Sequence, residues 1–261
     1  MNYFAYPTAA ERYAKSRPFF HPLAIQKIQS ICCATGRINR ALDVGCGTGQ
    51  STVALLDVAE EVVGLDSSAE MLSYAVRRPQ IRYVEARAEQ IPFDDTSYGL
   101  ITVGGAFHWF DHRKFMLEAR RVLRPGGWLV IYNDGFTGRM IGNEDYQKWN
   151  REQYLVRYPT PPRNNHFLSD SDVLAYGFVP SGLEQFTHDV QFTPEQLVSY
   201  LLTQTNVIHA VEAGKRDLQS VANWLLDSVQ PFFMGETESF TFACEIRYLK
   251  RDESFAGLGK E

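Results

Sequence analysis

The stretch Leu42-Asp-Val-Gly-Cys-Gly-Thr-Gly-Gln-Ser51 sets three glycines within five positions behind an acidic residue. Upstream of the glycines, Arg40-Ala-Leu-Asp-Val44 is a short apolar run ending in acid and glycine, which reads as a buried strand followed by a sharp turn. Turns of this kind meet nucleotides, and the spacing separates the candidates. A phosphate-cradling loop needs Gly-x-x-x-x-Gly-Lys-Ser/Thr, whose lysine reaches the phosphates, and no lysine follows these glycines. A dinucleotide fingerprint needs Gly-x-Gly-x-x-Gly, yet the third position is Gln50 counted from Gly45 and Thr52 counted from Gly47.

Working outward, apolar runs and helical patterns alternate. Glu61-Val-Val-Gly-Leu-Asp66 is a second strand ending in an acid, and Ser67-Ser68 offer an N-cap to a helix carrying Met71, Leu72 and Ala75. Ile81–Val84 and Gly99–Val103 give a third and a fourth strand. A helix through Phe115, Leu117, Ala119 and Val122 follows, then a turn at Leu123–Gly127 and a fifth strand at Trp128–Tyr132. This is the rhythm of a parallel sheet with helices on both faces, in which ligands bind beyond the carboxyl ends of the strands. The rhythm changes after Asn133: one helical stretch spans about 144–156, strands are expected at 182–193 and 239–251, and helices at 194–211 and 218–229 lie between them.

The chain has 261 residues and a formal net charge of -5, enough for a sizeable core and too acidic for a sequence-independent grip on nucleic acid. Arg77-Arg78 and Arg120-Arg121 read as solvated helix faces. No run of eighteen apolar residues appears and the start lacks a signal-peptide core, so the expectation is a cytoplasmic protein without membrane association. The four cysteines, Cys32, Cys33, Cys46 and Cys244, form no C-x-x-C pair and have no histidine at metal-ligand spacing, so free thiols and no metal are expected.

The remaining reading of the loop is Asp-x-Gly-x-Gly-x-Gly for S-adenosyl-L-methionine. That ligand carries no phosphate, so its site calls for backbone carbonyls, a carboxylate and an adenosine pocket rather than an anion hole. Asp66, at the tip of the second strand, is placed to accept both ribose hydroxyls through charge-assisted bonds worth roughly 1.5–3 kcal/mol each. A nicotinamide site shares this acid, so Asp66 alone does not discriminate.

LDVGCGTGQ, VVGLDSSAEML, ARAEQIPF, AFHWFD and RVLRPGGWLVIY, in that order, resemble the successive motifs of class I S-adenosylmethionine-dependent methyltransferases, in particular the group acting on small molecules. AERYAKSRPFF and TPEQLVSYLLTQTNVIHAV are more loosely similar to the trans-aconitate branch. The resemblance implies a Rossmann-like α/β fold, doubly wound and seven-stranded, mostly parallel with one antiparallel strand in an edge hairpin, and a helical cover insertion. It divides the chain into N-terminal lid helices (1–40), a cofactor-binding core (41–133), a substrate cover (134–182), C-terminal strands and helices completing the sheet (183–251) and a tail (252–261).

The resemblance further assigns Asp43, Gly45 and Gly47 to the methionine end, Asp66 to the ribose, and Ser67 and Met71 to the adenine. The backbone of Ala88 would meet the adenine edge. The family often carries an acid where Arg87 stands, and Arg87 has no acceptor atom, so Glu89 or backbone groups take that role. Arg17 is the candidate partner of the methionine carboxylate, and Gly104 falls beside the methyl group.

His108 is the candidate general base or substrate-orienting group, with a wall of the pocket as the other reading. Tyr13, Trp109, Arg139 and Tyr200 are candidate substrate contacts. Arg139, Arg151, Arg157, Arg163 and His166 of the cover would receive an acidic substrate or serve as solvated charges. The acceptor expected is a small molecule, a carboxylic acid by the looser resemblance, and the protein a monomer or weak homodimer. A non-catalytic cofactor-binding module and a nicotinamide-dependent reductase are the competing functions.

Overall fold

A computed structural model of the protein describes residues 6–34, 36–162 and 168–254. In chain order the elements begin with α1 (Pro7–Ser16), α2 (His21–Cys32), β1 (Ile38–Val44) and α3 (Gln50–Ala54), the last continued by a 3-10 turn at Leu55–Asp57. Next come β2 (Ala59–Asp66), α4 (Ala69–Ser73), β3 (Ile81–Glu85), β4 (Tyr98–Gly104), a 3-10 turn at Phe107–Trp109, α5 (His112–Val122) and β5 (Leu123–Met140). The remainder is α6 (Glu144–Trp149), a π-helical turn Asn150–Tyr154, α7 (Leu155–Arg157), α8 (Asp170–Ala175), β6 (Phe178–Phe192), α9 (Pro194–Leu201), α10 (Thr205–Glu212), α11 (Leu218–Val229) and β7 (Glu238–Arg251).

The helices start where the sequence supplies acceptors for their first amides. Ser68, Asp111, Asn143 and Asp217 each accept a backbone N–H three residues on, and Ser169 and Thr193 form reciprocal capping boxes with Asp172 and Gln196. Pro194 occupies the first turn of α9, where a missing N–H costs nothing.

The strands form one seven-stranded sheet in the order β3-β2-β1-β4-β5-β7-β6. β1, β2, β3, β4 and β5 pair in parallel, with Asp43 opposite Gly64 and Thr102, Asp66 opposite Glu85, and Gly104 opposite Tyr132. β7 runs antiparallel between β5 and β6: Thr137 bonds to Thr241 while Gly135 faces Ala243, and Asp189 and Gln185 on β6 meet Thr241 and Glu245 on β7. The winding reverses between β1 and β4, which makes the carboxyl ends of β1, β2 and β4 the natural ligand edge.

Two compact units arise along the chain. Described residues numbered 19–133, 163–185 and 245–261 make the sheet unit. On one face of its sheet Leu42, Val44, Val63, Leu65, Ile101, Val103 and Leu129 pack with Phe115, Met116, Ala119 and Val122 of α5. The alternate positions, among them Asp43, Thr102, Gly104 and Tyr132, turn to the other face, where the imidazole of His21 at the start of α2 lies 3.0 Å from the Tyr132 hydroxyl. Described residues numbered 1–18, 134–162 and 186–244 make the second unit, with an aromatic core containing Tyr146, Trp149, Tyr154, Tyr158, Tyr200, Phe240 and Phe242.

Several boundaries differ from the sequence expectation. β5 is eighteen residues long: it runs through the expected turn at 123–127 and on to Met140, and β6 starts at Phe178, so 134–140 and 178–182 are strand rather than cover. The helix expected over 194–211 is two helices. Thr203, fully buried, donates its hydroxyl to the Tyr200 carbonyl, and the amides of Thr203 and Gln204 close tight turns there instead of continuing α9. The four cysteines are free, and no helix among the described residues is long and apolar enough to cross a membrane. Most of the expected tail, residues 255–261, lies outside the described residues, as do Arg163 and His166.

Candidate functional site

The glycine loop at the end of β1 folds on its own amides. Gly45 and Cys46 both donate to the Leu65 carbonyl, at 2.7 and 3.1 Å, Gly47 donates to Asp66 Oδ2 at 2.8 Å, and Gly49 donates to Cys46 at 2.9 Å. Gly45 and Gly49 must be glycine twice over. Their φ values are +73° and +78°, and a Cβ would come within 2.4 Å of Ala106 at Gly45 and within 2.2 Å of the Tyr83 hydroxyl at Gly49.

Asp43 is sealed beneath this loop and is fully buried. Its Oδ2 accepts the hydroxyls of Ser51 (2.5 Å) and Thr52 (2.7 Å), and Oδ1 accepts that of Thr102 (3.0 Å). Burial pushes its pKa up, the three hydroxyl bonds pull it back, and the charge of Asp66 adds to the rise. Asp43 was expected at the methionine end of a cofactor; the structure instead turns it inward, because three buried hydroxyls need an acceptor, and it acts through the loop it ties to β4. Cys46 is equally inert: burial, reinforced by the two aspartates, drives its thiol pKa far up.

Asp66 stands at the tip of β2 and is partly exposed. One oxygen takes the Gly47 amide and the other takes the Ser68 amide at 2.9 Å, so a single carboxylate clips the glycine loop to the start of α4. Burial raises its pKa and these backbone donors oppose the rise. With the Ser67 amide also drawn to it, the carboxylate meets three donors with about four lone-pair sites, which leaves acceptor capacity for a further donor. Met71 is buried, with its methyl 3.0 Å from where a Gly47 Cβ would stand, and Ser67 is exposed.

Beyond β3, Ala88 is buried within the sheet core, and Arg87 is exposed. Glu89 is engaged: Oε1 accepts the Asp111 amide at 2.9 Å and Oε2 lies 3.4 Å from Arg87 Nε, which ties this turn to the start of α5. Beyond β4, Gly104 leaves room for the Tyr132 ring, whose hydroxyl would lie 2.8 Å from a Cβ there. His108 and Trp109 follow in the 3-10 turn, ring centroids 4.5 Å apart. Phe110 reaches back to Gly45. The sheet unit thus gathers Asp43, Gly45, Gly47, Asp66, Ser67, Met71, Ala88, Glu89, Gly104, His108 and Trp109 on the segments leaving β1, β2, β3 and β4.

Tyr13, Arg17 and Tyr200 come together in the second unit. The Arg17 guanidinium lies 4.7 Å from the Tyr13 ring centroid and 5.1 Å from that of Tyr200, and it donates to the Thr203 carbonyl at 3.0 Å. Arg139 is exposed on β5, Arg151 is exposed, and Arg157 lies over Trp224 at 4.5 Å. Motif reading missed Tyr83, which fills the space at Gly49, the His21–Tyr132 pair, and the partly buried Asp134–His188 contact at 2.8 Å. Only the glycines hinted at the first of these; the others lie far apart in the chain. Among the described residues no group of three or more His, Cys, Asp or Glu could hold a metal ion.

Residues 42–131 match the family described as a methyltransferase domain. A Dictyostelium discoideum protein assigned as a methyltransferase is 26% identical over 218 residues, 80% of each chain. The demethylmenaquinone methyltransferase of Chlorobaculum tepidum is 31% identical over 157 residues, covering 59% of this chain and 62% of the Chlorobaculum one, so the match spans less than two thirds of that relative. Among solved structures, an Anaeromyxobacter dehalogenans protein assigned as a type II methyltransferase superposes with a TM-score of 0.68 at 24% identity, over 88% of this chain and 96% of its own, a likeness of fold. The strand order, the glycine loop and the acid at the tip of β2 accompany a match to a methyltransferase domain over residues 42–131.

Proposed function

We propose that the protein transfers the methyl group of S-adenosyl-L-methionine to a small carboxylic acid. One observation carries the choice of cofactor: the amides of Gly45, Cys46, Gly47 and Gly49 are spent on Leu65, Asp66 and Cys46. A phosphate site presents such amides to its ligand. This loop presents none of the four, which suits a ligand without phosphate and disfavours a dinucleotide.

The residues fit that cofactor. Asp66 has lone pairs left for ribose hydroxyls, the backbone at Gly45 and Gly47 would meet the methionine end, and Met71, Ser67 and the Ala88 backbone would border the adenine. When bound, the sulfonium supplies a methyl group already activated for in-line displacement. What the protein adds is alignment and exclusion of water. A carboxylate acceptor is already a nucleophile at neutral pH, so His108 need move no proton; set at a tilt beside Trp109, it serves as a wall next to Gly104. The Chlorobaculum relative supports a small-molecule acceptor, and the looser motif resemblance supports an acid.

Calorimetry with S-adenosylmethionine and S-adenosylhomocysteine on wild type and Asp66→Ala tests the cofactor. Micromolar binding that the substitution abolishes is expected; no binding by the folded wild type would overturn the reading. Transfer of a labelled methyl group to a panel of carboxylates, phenols and amines tests the acceptor. Turnover confined to phenols or amines would overturn the acid.

A further inference from the structure

A histidine lies buried at the edge where the sheet unit gathers its candidate residues, and the chemistry proposed above makes no use of it. His21 opens α2 with 9% of its surface exposed, and its Nδ1 stands 3.0 Å from the hydroxyl of Tyr132, which is 1% exposed. Burying an imidazole and a phenol costs free energy that two apolar side chains would not, and their mutual bond only offsets it. Packing alone does not call for this pair.

What the pair holds is Gly104. Tyr132 is its cross-strand partner, and the ring lies over the glycine so closely that a Cβ there would fall 2.8 Å from both Cζ and the hydroxyl oxygen. The Tyr132 carbonyl accepts the Gly105 amide at 2.8 Å. One residue thus grips two glycines, through its ring and through its backbone. The next residue, Ala106, meets the glycine loop: a Cβ on Gly45 would fall 2.4 Å from that of Ala106. The grip is fixed from behind, where Phe20 packs on His21 at 4.3 Å and meets the Tyr132 ring edge-on at 6.3 Å. Gly104 is half-buried and Gly105 exposed, so a ligand at this edge meets the glycines and not the hidden pair. Burial also holds the His21 pKa down to about 3, and a neutral imidazole sets no positive charge behind a site for a sulfonium.

We infer that His21 and Tyr132 are positioning residues for the methyl-bearing end of the cofactor: bonded to each other, they fix where Gly104 and Gly105 stand, and with them the space left for the sulfonium and its methyl group. That role rests on the cofactor proposed above, whose methyl group would lie beside Gly104. The adenosine end, at Asp66 and Met71, belongs to other segments. S-adenosylmethionine and S-adenosylhomocysteine differ at the sulfur alone, by one methyl group and one positive charge, so comparing them isolates the effect of the pair.

Calorimetry with both ligands is run on wild type, Tyr132→Phe, His21→Leu and His21→Asn, with thermal melts alongside. Tyr132→Phe keeps the ring, His21→Leu keeps an apolar filling, and each deletes the bond. In both, S-adenosylmethionine is expected to bind about five- to tenfold more weakly, the worth of one ordinary hydrogen bond, while S-adenosylhomocysteine stays within about twofold. An asparagine amide can offer Tyr132 either an acceptor or a donor, so His21→Asn should keep the wild-type ratio of the two affinities. Because the residues act as one unit, Tyr132→Phe with His21→Leu should be no worse than either alone. Should His21→Leu fail to fold, Tyr132→Phe, which removes a single oxygen, carries the comparison.

Equal weakening of both ligands, an unchanged ratio despite a lowered melting temperature, or an asparagine variant no better than the leucine one would overturn the positioning role and leave a pair that only packs. Wild type that binds both ligands while the ratio stays fixed in the variants sinks the positioning role and spares the cofactor. Wild type that binds neither sinks the cofactor first, and the role of the pair with it.

Discussion

Replacing Asp43 separates two roles that the motif alone confounds. In Asp43→Ala, the hydroxyls of Ser51, Thr52 and Thr102 lose their acceptor, and Thr52 and Thr102 are fully buried. At about 1–2 kcal/mol for each orphaned donor, the loss is about 3–6 kcal/mol before any cavity is counted, comparable to the whole stability of many domains. Asp43→Asn behaves differently. Its carbonyl can keep Ser51 and Thr52, and its amide can donate to Thr102, whose hydroxyl also accepts.

The asparagine gives up charge assistance, but the buried carboxylate is already disfavoured in its charged form, as its raised pKa records. The two effects oppose each other, and the net change should stay within about 1 kcal/mol, a shift of about 2–4 °C in a chain of this size. The sign with pH follows. Between aspartate's ordinary pKa and the raised one, the folded state holds more protons than the unfolded state, so wild-type stability falls as pH rises across that window and stays lower above it. Asp43→Asn lacks this term, so its stability relative to wild type should be greatest at neutral pH and shrink on acidification. Thermal melts from pH 7 downward, with S-adenosylhomocysteine calorimetry at pH 7, read both quantities. A folded Asp43→Asn protein that has lost the ligand would refute the loop-holding role and restore a direct contact; an asparagine variant as unstable as the alanine one would refute the energetic argument.

Two further substitutions probe the same unit. Gly49→Ala should cost at least about 1–2 kcal/mol for a left-handed Ala and more for the clash with the Tyr83 hydroxyl, and adding Tyr83→Phe should recover part of the loss in thermal melts; a double variant no better than the single one would show that backbone strain dominates. Burial depresses the His21 pKa to about 3, so the stability tied to its neutral form is complete above the ordinary histidine value and drains as pH falls below it, by up to about 1.4 kcal/mol per pH unit. His21→Asn should therefore flatten the melting profile between pH 6.5 and 5, and an imidazole that titrates near 6.5 by NMR would contradict the buried geometry.

Local chemistry made the sheet legible from the chain. Apolar runs ending in Asp43 and Asp66, the helix-starting Ser68 and the periodicity of Phe115 to Val122 each express a preference acting over a few residues, and each appears where that preference puts it. The glycines at 45, 47 and 49 announced a sharp turn, and all three adopt positive φ there. Strand lengths were less accessible: β5 and β6 extend beyond their apolar cores because neighbouring strands supply hydrogen bonds that no local pattern encodes.

The site divides along the same line. Motif spacing located Asp43 and Asp66 alike, but whether a carboxylate faces a ligand or three hydroxyls depends on Thr102, which is 59 positions from Asp43 in the chain. The fate of Glu89 likewise depends on the Asp111 amide 22 residues on. The second unit was the least legible part. The buried Arg17 Nε, Tyr146 hydroxyl and Trp149 indole nitrogen come from stretches of the chain whose polar atoms look ordinary until folding removes their water, and burial of that kind is a property of the packed core rather than of any residue within it.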